Sequence, residues 1–289
     1  MEIEKYKVLL TAIEKGTLSE TAEQLGYTPS GVSRMMVALE AETGFPLLAR
    51  SRGGVVPTRE CEELLPTIRE MVRLSQQYNQ MAAAIMGLET GTITIGNSYG
   101  AYYRKLIQVI SRFCEAHPGI QVNIIEGASS KLDSAIRERQ ADFCIMSRRD
   151  GDYDWIHLRK DEMVVIVSKD HPLAGAEAFP IKAFETEPYI EIYPGVETDC
   201  TLMFQNNGIT PNIRYSCNDT LGLVCMVESG MGIGSFNALI AEQLRGDVVA
   251  LPINPPQYVD IGIGMPSLDS APPAVKEFVE YAKEAMKEE

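Results

Sequence analysis

The sequence predicts an α/β protein in three parts: a small helical unit ending in a β hairpin, one long helix, and a body of alternating strands and helices in two lobes. Three observations carry this. Two short helical runs meet at Leu25-Gly26-Tyr27 within TLSETAEQLGYTPSGVSRMMVALE, residues 17–40. Apolar side chains recur at steps of four and three from Leu64 to Ile85. Beyond Gly91, β-prone runs alternate with amphipathic ones. A length of 289 residues agrees with two or three domains. The boundaries fall at 1–58, 59–88 and 89–289. The last part divides into a first lobe, 89–162 with 267–289, and a second lobe, 163–266.

In the first helix Ile3, Tyr6, Leu9, Leu10 and Ile13 keep helical spacing until Lys15-Gly16 stops the run. A second helix starts near Ser19 and buries Ala22 and Leu25, and Gly26 allows a tight turn. Thr28 caps the third helix, and Pro29 suits its first position because the missing N–H has no intrahelical partner there. Val32, Met35, Met36 and Leu39 form the core stripe. The opposite side presents Ser30, Ser33, Arg34 and Val37, mostly small or hydrogen-bonding. Small residues let a helix backbone enter a DNA major groove, and an arginine there can bridge a guanine edge or a phosphate. The pattern therefore reads as a helix-turn-helix with an inserted third helix, the alternative being an ordinary helical hairpin with a polar outer face.

GFPLLARSRGGVVPT follows, and Arg50-Ser51-Arg52, Gly53-Gly54 and Val55-Val56 predict a hairpin wing whose arginines contact phosphates or the minor groove. The plain alternative is a solvated charged turn. From Arg59 to Gly87 a long helix is expected, with a heptad-like seam of Leu64, Ile68, Met71, Ser75, Tyr78, Ala82 and Ile85. Pro66 should bend this helix or mark its true start. Its seam needs a partner, and the same helix of a second subunit is preferred to the body of the protein.

The body opens with strands at 92–96, 120–127 and 142–147 and helices at 102–119 and 129–140. This βαβαβ order implies a mostly parallel sheet with right-handed crossovers. A second set starts near Met163 with EMVVIVS, continues through YIEIY, a helix at 197–206, IRYS, a helix at 219–228 and strands near Ile233 and Val248, and returns by YVDIGIGM to a final helix at 273–287. Chain crossings near 160–168 and 259–266 would make a hinged cleft.

Net charge is −14, from 26 basic and 40 acidic residues, which excludes coating of nucleic acid or membrane through bulk charge. Residues 1–58 are nearly balanced, and from Gly31 to Arg59 the balance turns positive through Arg34, Arg50, Arg52 and Arg59. Any DNA contact must be local. The acidic start MEIEKYKVLL does not resemble a secretory signal, and no window has the length of a membrane span. Six cysteines without a CxxC pair suit free thiols, so a cytoplasmic location is expected. Three scattered histidines offer no metal site, and no cofactor is expected.

Residues 9–61 resemble the DNA-binding region of LysR-type transcriptional regulators. The shared features are Gly16-Thr17, Thr21-Ala22, Pro29 through Ser33-Arg34, Leu39-Glu40, Gly44 with Leu47-Leu48-Ala49-Arg50, and Thr58. Leu48, Thr21 and Cys61 depart from the family's usual Phe, Ala and Gly. HPLAG at 171–175 and VESGMGIGS at 227–235 extend the resemblance to the effector domain. The resemblance implies a winged helix-turn-helix with DNA contacts at Thr28, Pro29, Ser30, Ser33, Arg34, Arg50 and Arg52. It implies a two-lobed effector domain of type II periplasmic-binding-protein type, a dimer-forming long helix, and a homodimer or homotetramer on an inverted-repeat operator. It also implies an effector pocket lined by Ser98, Ser129, Met146, Tyr193, Thr198 and Asn218.

The residues point independently to an anion. Ser98 and Ser129 each lie between a strand and the next helix, where free N–H groups and the helix dipole attract negative charge, and both would face the cleft. A small carboxylate effector is the expectation, plain helix caps the alternative. GMGIGS follows a helix and precedes no Lys-Ser/Thr, so its glycines read as turning and packing, not as a phosphate loop. No catalytic constellation is visible: no histidine adjoins a cysteine or serine in a motif, and Asp161-Glu162 reads as solvated charge. Two other classes remain open. One is a thiol-based redox-sensing regulator using Cys200 or Cys217. The other is a small-molecule binding protein or enzyme on the two-lobe scaffold, which would not need residues 1–58.

Overall fold

The computed structural model describes residues 2–51, 54–85 and 90–286. The chain forms two compact units, Met1–Gly91 with Glu138–Gln140, and the remaining residues. In the first unit α1 (Ile3–Lys15), α2 (Leu18–Leu25) and α3 (Pro29–Thr43) precede a hairpin of β1 (Leu48–Ser51) and β2 (Gly54–Pro57), and α4 (Arg59–Ile85) follows. Local chemistry sets the helix ends. The Thr17 and Thr28 hydroxyls accept from the N–H groups of Glu20 and Gly31, Pro29 opens α3, and Gly16, Gly26 and Gly44 close the helices in the left-handed conformation. Val8, Leu9, Ala22, Val32, Met36 and Leu39 form the core with Cys61, Leu65 and Ile68 of α4.

Much of the motif that carried the resemblance is scaffold. The Glu40 carboxylate accepts from the N–H groups of Leu47, at 2.8 Å, and Leu48, at 3.0 Å. The Thr58 hydroxyl donates to the Pro46 carbonyl and accepts from Cys61 N–H, which caps α4. β1 and β2 pair antiparallel from Leu48 with Pro57 to Ser51 with Gly54. Gly54 cannot carry a side chain: its φ is 130°, and a Cβ would stand 2.0 Å from the Gly16 carbonyl oxygen. That same oxygen accepts from Val55 N–H at 2.6 Å, so the turn end of β2 is pinned to the end of α1.

α4 starts at Arg59 and continues through Pro66, which therefore does not mark its beginning. Ile68 is buried in the winged core and Leu64 and Met71 pack half-buried against it. The first half of the seam thus has its partner inside its own unit. Farther along, Leu74, Tyr78 and Met81 stand exposed at positions i, i+4 and i+7, Tyr78 by 71%. The Ile85 side chain lies outside the described residues.

The second unit is built on an eight-stranded sheet. Its strands are β3 (Gly91–Asn97), β4 (Ile120–Glu126), β5 (Phe143–Ser147), β6 (Asp154–Ser168), β7 (Phe179–Pro180), β10 (Gly234–Asn237), β11 (Val248–Asn254) and β12 (Tyr258–Met265). They run in the order β4-β3-β5-β12-β6-β11-β7, with β10 also on β6. A separate parallel pair, β8 (Tyr189–Ile192) and β9 (Ile213–Cys217), lies in the second lobe. The helices are α5 (Tyr103–Ala116), α6 (Ser129–Arg137), α7 (Asp199–Asn207), α8 (Thr220–Glu228), α9 (Ala238–Ala241) and α10 (Pro273–Met286). β3 and β5 are parallel as expected. The sheet around β6 is antiparallel instead, because β6 starts at Asp154, well before Met163, and returning strands flank both its halves.

β6 and β12 define the lobes. β12 pairs with β5 and with the first half of β6, and its Ile261, Ile263 and Met265 pack with Ile95, Phe113, Phe143 and Phe278. The chain therefore re-enters the first lobe at Tyr258, earlier than the sequence boundary of 266. The second lobe centres on an edge-to-face cluster of Phe179, Phe184, Tyr189 and Phe204. In GMGIGS, Gly230 has φ 71°, and a Cβ on Gly232 would stand 2.3 Å from the Pro188 carbonyl oxygen, so turning and close packing account for the glycines. Asp161 is not solvated: it is 1% exposed, pairs with Arg159 at 3.0 Å and accepts from Leu239 N–H at the start of α9. Among the described residues no helix is long and apolar enough to cross a membrane, and no cluster of metal-ligating side chains occurs.

Candidate functional site: a helix face and an inter-lobe cleft

The first candidate is the outer face of α3. Thr28, Pro29, Ser30 and Arg34 are exposed and Ser33 is half-buried, while Val32, Met36 and Leu39 point into the core. The Thr28 hydroxyl lies 3.2 Å from that of Ser30 and caps the helix, so both are held at its N-terminal turn. Arg34 makes no hydrogen bond or ion pair among the described residues. By contrast, the nearby Lys5 and Lys7 are paired with Glu42 and Glu4. Val37 is 63% exposed on the same face, an apolar contact suited to a thymine methyl. Tyr27, exposed in the turn, was not singled out by the sequence pattern. Arg50 lies on β1 opposite Val55, its side chain outside the described residues, as is Arg52 altogether.

The second candidate is a cavity of about 580 Å3 between the lobes. Ser98, Ser129, Tyr193 and Thr198 line it. Ser129 is the first residue of α6; its hydroxyl lies 3.1 Å from that of Ser98 and accepts from Ser147 N–H at 3.0 Å. Ser98 does not open a helix. Its N–H donates to the Ile145 carbonyl, extending the sheet, and a 3-10 turn, Gly100–Tyr102, intervenes before α5. Met146 does not line the cavity: it is fully buried with Leu132, Ile136 and Cys144, because neighbours on a strand face opposite sides and the preceding and following residues set its direction. Asn218 is exposed and also outside the lining, where Thr220 stands instead.

Lys131, on the first turn of α6, supplies a cation to the lining; no ion pair of it occurs among the described residues. Tyr103 donates to Glu126 at the same wall, and burial followed by that contact pushes its phenol up to about 12. Tyr193 has φ 54°, a strained conformation for a bulky residue, at the turn after β8. Thr198 is the N-cap of α7 in a reciprocal capping box with Thr201.

Beside the cavity lies a cluster that the sequence pattern did not reveal. Asp199, the first residue of α7, accepts from the Tyr99 hydroxyl at 2.8 Å, the Ser147 hydroxyl at 2.5 Å and Arg149 Nη2 at 2.9 Å. Arg149 Nη1 also reaches Ser147 Oγ at 2.6 Å, and its Nε lies 3.4 Å from Glu197. Burial, then the Asp199 charge, hold the Tyr99 phenol well above its ordinary range, so it remains a donor. The available signal was Ser147-Arg148-Arg149 directly after the C-terminal end of an apolar strand, the position where α/β sheets collect ligands.

Burial holds four of the six thiols in the protonated form. Burial pushes Cys61 up to about 11 and Cys144 and Cys200 up to about 12, and it raises Cys217 as well. A thiol with its pKa near 12 is almost wholly protonated at pH 8 and reacts slowly. Iodoacetamide at pH 8 should therefore modify exposed Cys225 first and leave Cys61, Cys144 and Cys200 unmodified in the folded protein, as read by peptide mass spectrometry. Early labelling of Cys200 would restore the thiol-sensing alternative.

Residues 3–62 match the family described as "Bacterial regulatory helix-turn-helix protein, lysR family", and residues 86–287 match "LysR substrate binding domain". The chain is 31% identical over 287 residues to the HTH-type transcriptional regulator YvbU of Bacillus subtilis, covering 98% of each. Among solved structures, a full-length OxyR variant from Pseudomonas aeruginosa is similar with a TM-score of 0.72 at 17% identity, over 99% of this chain and 94% of that one. The effector-binding domain of QuiR in complex with shikimate is similar with a TM-score of 0.56 at 23% identity, over 68% of this chain and 98% of that one.

Proposed function

Because the chain belongs to the LysR family of transcriptional regulators, we propose that it reads an inverted-repeat operator as a homodimer or homotetramer and is controlled by a small carboxylate in the inter-lobe cleft. It is a DNA-binding regulator with an effector-binding domain, as its relatives are, and not an enzyme. The observation that carries operator reading is the exposed α3 face with Arg34, which has no hydrogen-bond or ion-pair partner among the described residues. Arg50 and Arg52 of the wing belong to the same proposed contact. The bare stripe of Leu74, Tyr78 and Met81 supports pairing of two subunits along the outer half of α4.

The carboxylate reading rests on the first turn of α6. The hydroxyls of Ser98 and Ser129, the open backbone end of the helix and Lys131 converge on one wall of the cavity. QuiR, solved with the carboxylic acid shikimate, shares this domain fold. Tyr193 and Thr198 supply the facing wall from the second lobe. A panel of small carboxylates should contain at least one that raises the melting temperature. Lys131→Met should weaken that compound about tenfold, the loss of one charge-assisted hydrogen bond at a partly wet site. Ser98→Ala should weaken it less, whereas Ser129→Ala also removes the partner of Ser147 N–H and lowers stability. If the active compound proves cationic, or Lys131→Met binds it undiminished, the carboxylate reading is wrong.

A further inference from the structure

We infer that Asp199 is a built-in carboxylate ligand: from the second lobe it fills an anion seat made by Tyr99, Ser147 and Arg149 on the first, closing the cleft without an effector and restricting that effector to one anionic group. The donors are well shielded. Tyr99 and Ser147 are 2% and 1% exposed, and the side chains of Arg149 and Asp199 are 9% and 15% exposed. Three donors converge on the two oxygens of one carboxylate, with the guanidinium bonding both Asp199 and Ser147.

Tyr99 and Arg149 follow the ends of the parallel strands β3 and β5, and Asp199 starts α7. The contact therefore spans the lobes. Ser130 Oγ, donating to the Glu197 carbonyl at 2.7 Å, adds a second link two residues before Asp199. Removing Arg149 leaves the Asp199 charge without its ion partner, and removing Asp199 leaves Arg149 only the half-exposed Glu197, so either single change favours opening.

The clause on effector charge rests on the cleft being the effector site; the clamp itself does not. Arg149 lies outside the cavity lining; among the described residues Lys131 is the cation in it, and Glu126 and Asp199 also line it. A second anionic group on the effector would meet one of these carboxylates, which selects against diacids by repulsion.

Asp199→Ala removes a group that formate replaces atom for atom, so the test is formate binding by the full chain. In sodium formate, against sodium chloride at equal ionic strength, Asp199→Ala should gain at least about 3 °C in melting temperature over the wild-type response. Adding Arg149→Met should abolish the gain. A formate response in Asp199→Ala no larger than in wild type overturns the seat. If Asp199→Ala fails to fold, the isosteric Asp199→Asn serves: without effector it should show faster amide exchange at residues 145–149 and 197–201, and unchanged exchange overturns the clamp. Malonate should bind Asp199→Ala more tightly than wild type, and equal binding overturns the charge restriction. None of these readouts needs an identified effector, so a carboxylate panel without a hit would sink the effector proposal and leave the clamp standing or falling on its own.

Discussion

Leu74→Glu combined with Tyr78→Glu should split the proposed homodimer and lower operator affinity by roughly 10²–10⁴-fold, the gain that linking two half-site readers provides. Both side chains are exposed in the single subunit, so the substitutions leave the winged core intact and place like charges where two copies of α4 would meet. Met71 is a poorer choice despite its seam position. It packs against the winged core, and a glutamate there would damage the fold and confuse the result. Light scattering reports the mass and fluorescence anisotropy on the protein's own upstream DNA reports the affinity. A double variant that keeps its mass would move the pairing surface off α4.

Arg34→Ala lowers affinity for the same DNA by about 1–3 kcal/mol, some 5- to 150-fold, the worth of a bidentate arginine contact to a base. Melting should stay unchanged, because Arg34 is exposed and makes no hydrogen bond or ion pair among the described residues. Arg34→Lys separates charge from geometry: an ammonium supplies the charge without the planar fork, so it should recover a phosphate contact but not a guanine one. If Arg34→Ala weakens all sequences equally and flattens the salt dependence by about one charge, the contact is to a phosphate. Undiminished binding would remove α3 from the recognition surface.

The winged unit was legible because its rules are local. Thr17 and Thr28 cap, Pro29 starts, and Gly16, Gly26 and Gly44 stop within a few residues of the pattern that announces them. What the pattern could not show depends on distant partners. YVDIGIGM reads as a strand wherever it pairs, and only its register against β5 and β6 assigns it to the first lobe. Asp161 beside Glu162 looks like surface charge until Leu239 N–H and Arg159 close on it. Ser98 sits after a strand as Ser129 does, yet a sheet hydrogen bond takes its N–H and a 3-10 turn separates it from α5. The strand-to-helix junctions on which the carboxylate proposal rests were legible, and Ser98 and Ser129 do line one cavity. The contacts of Asp199 with Ser147 and Arg149, some fifty residues away, were not legible, since no spacing rule links residues that meet only through tertiary packing.

β6 is continuous through both lobes, hydrogen-bonded to β12 before Met163 and to β10 and β11 after it, and Met163 N–H donates to the Gln257 carbonyl where the chain recrosses. Such a strand works as a leaf spring. Its halves are clamped in two stiff blocks, so the lobes flex through small torsions distributed over a few residues and are driven back by the same ladder that they distort. Any rotation of one lobe against the other is consequently borne by the few residues of β6 and of the returning chain at the crossing. Lengthening the crossing by one residue on either strand would slacken the spring and decouple the second lobe from the first.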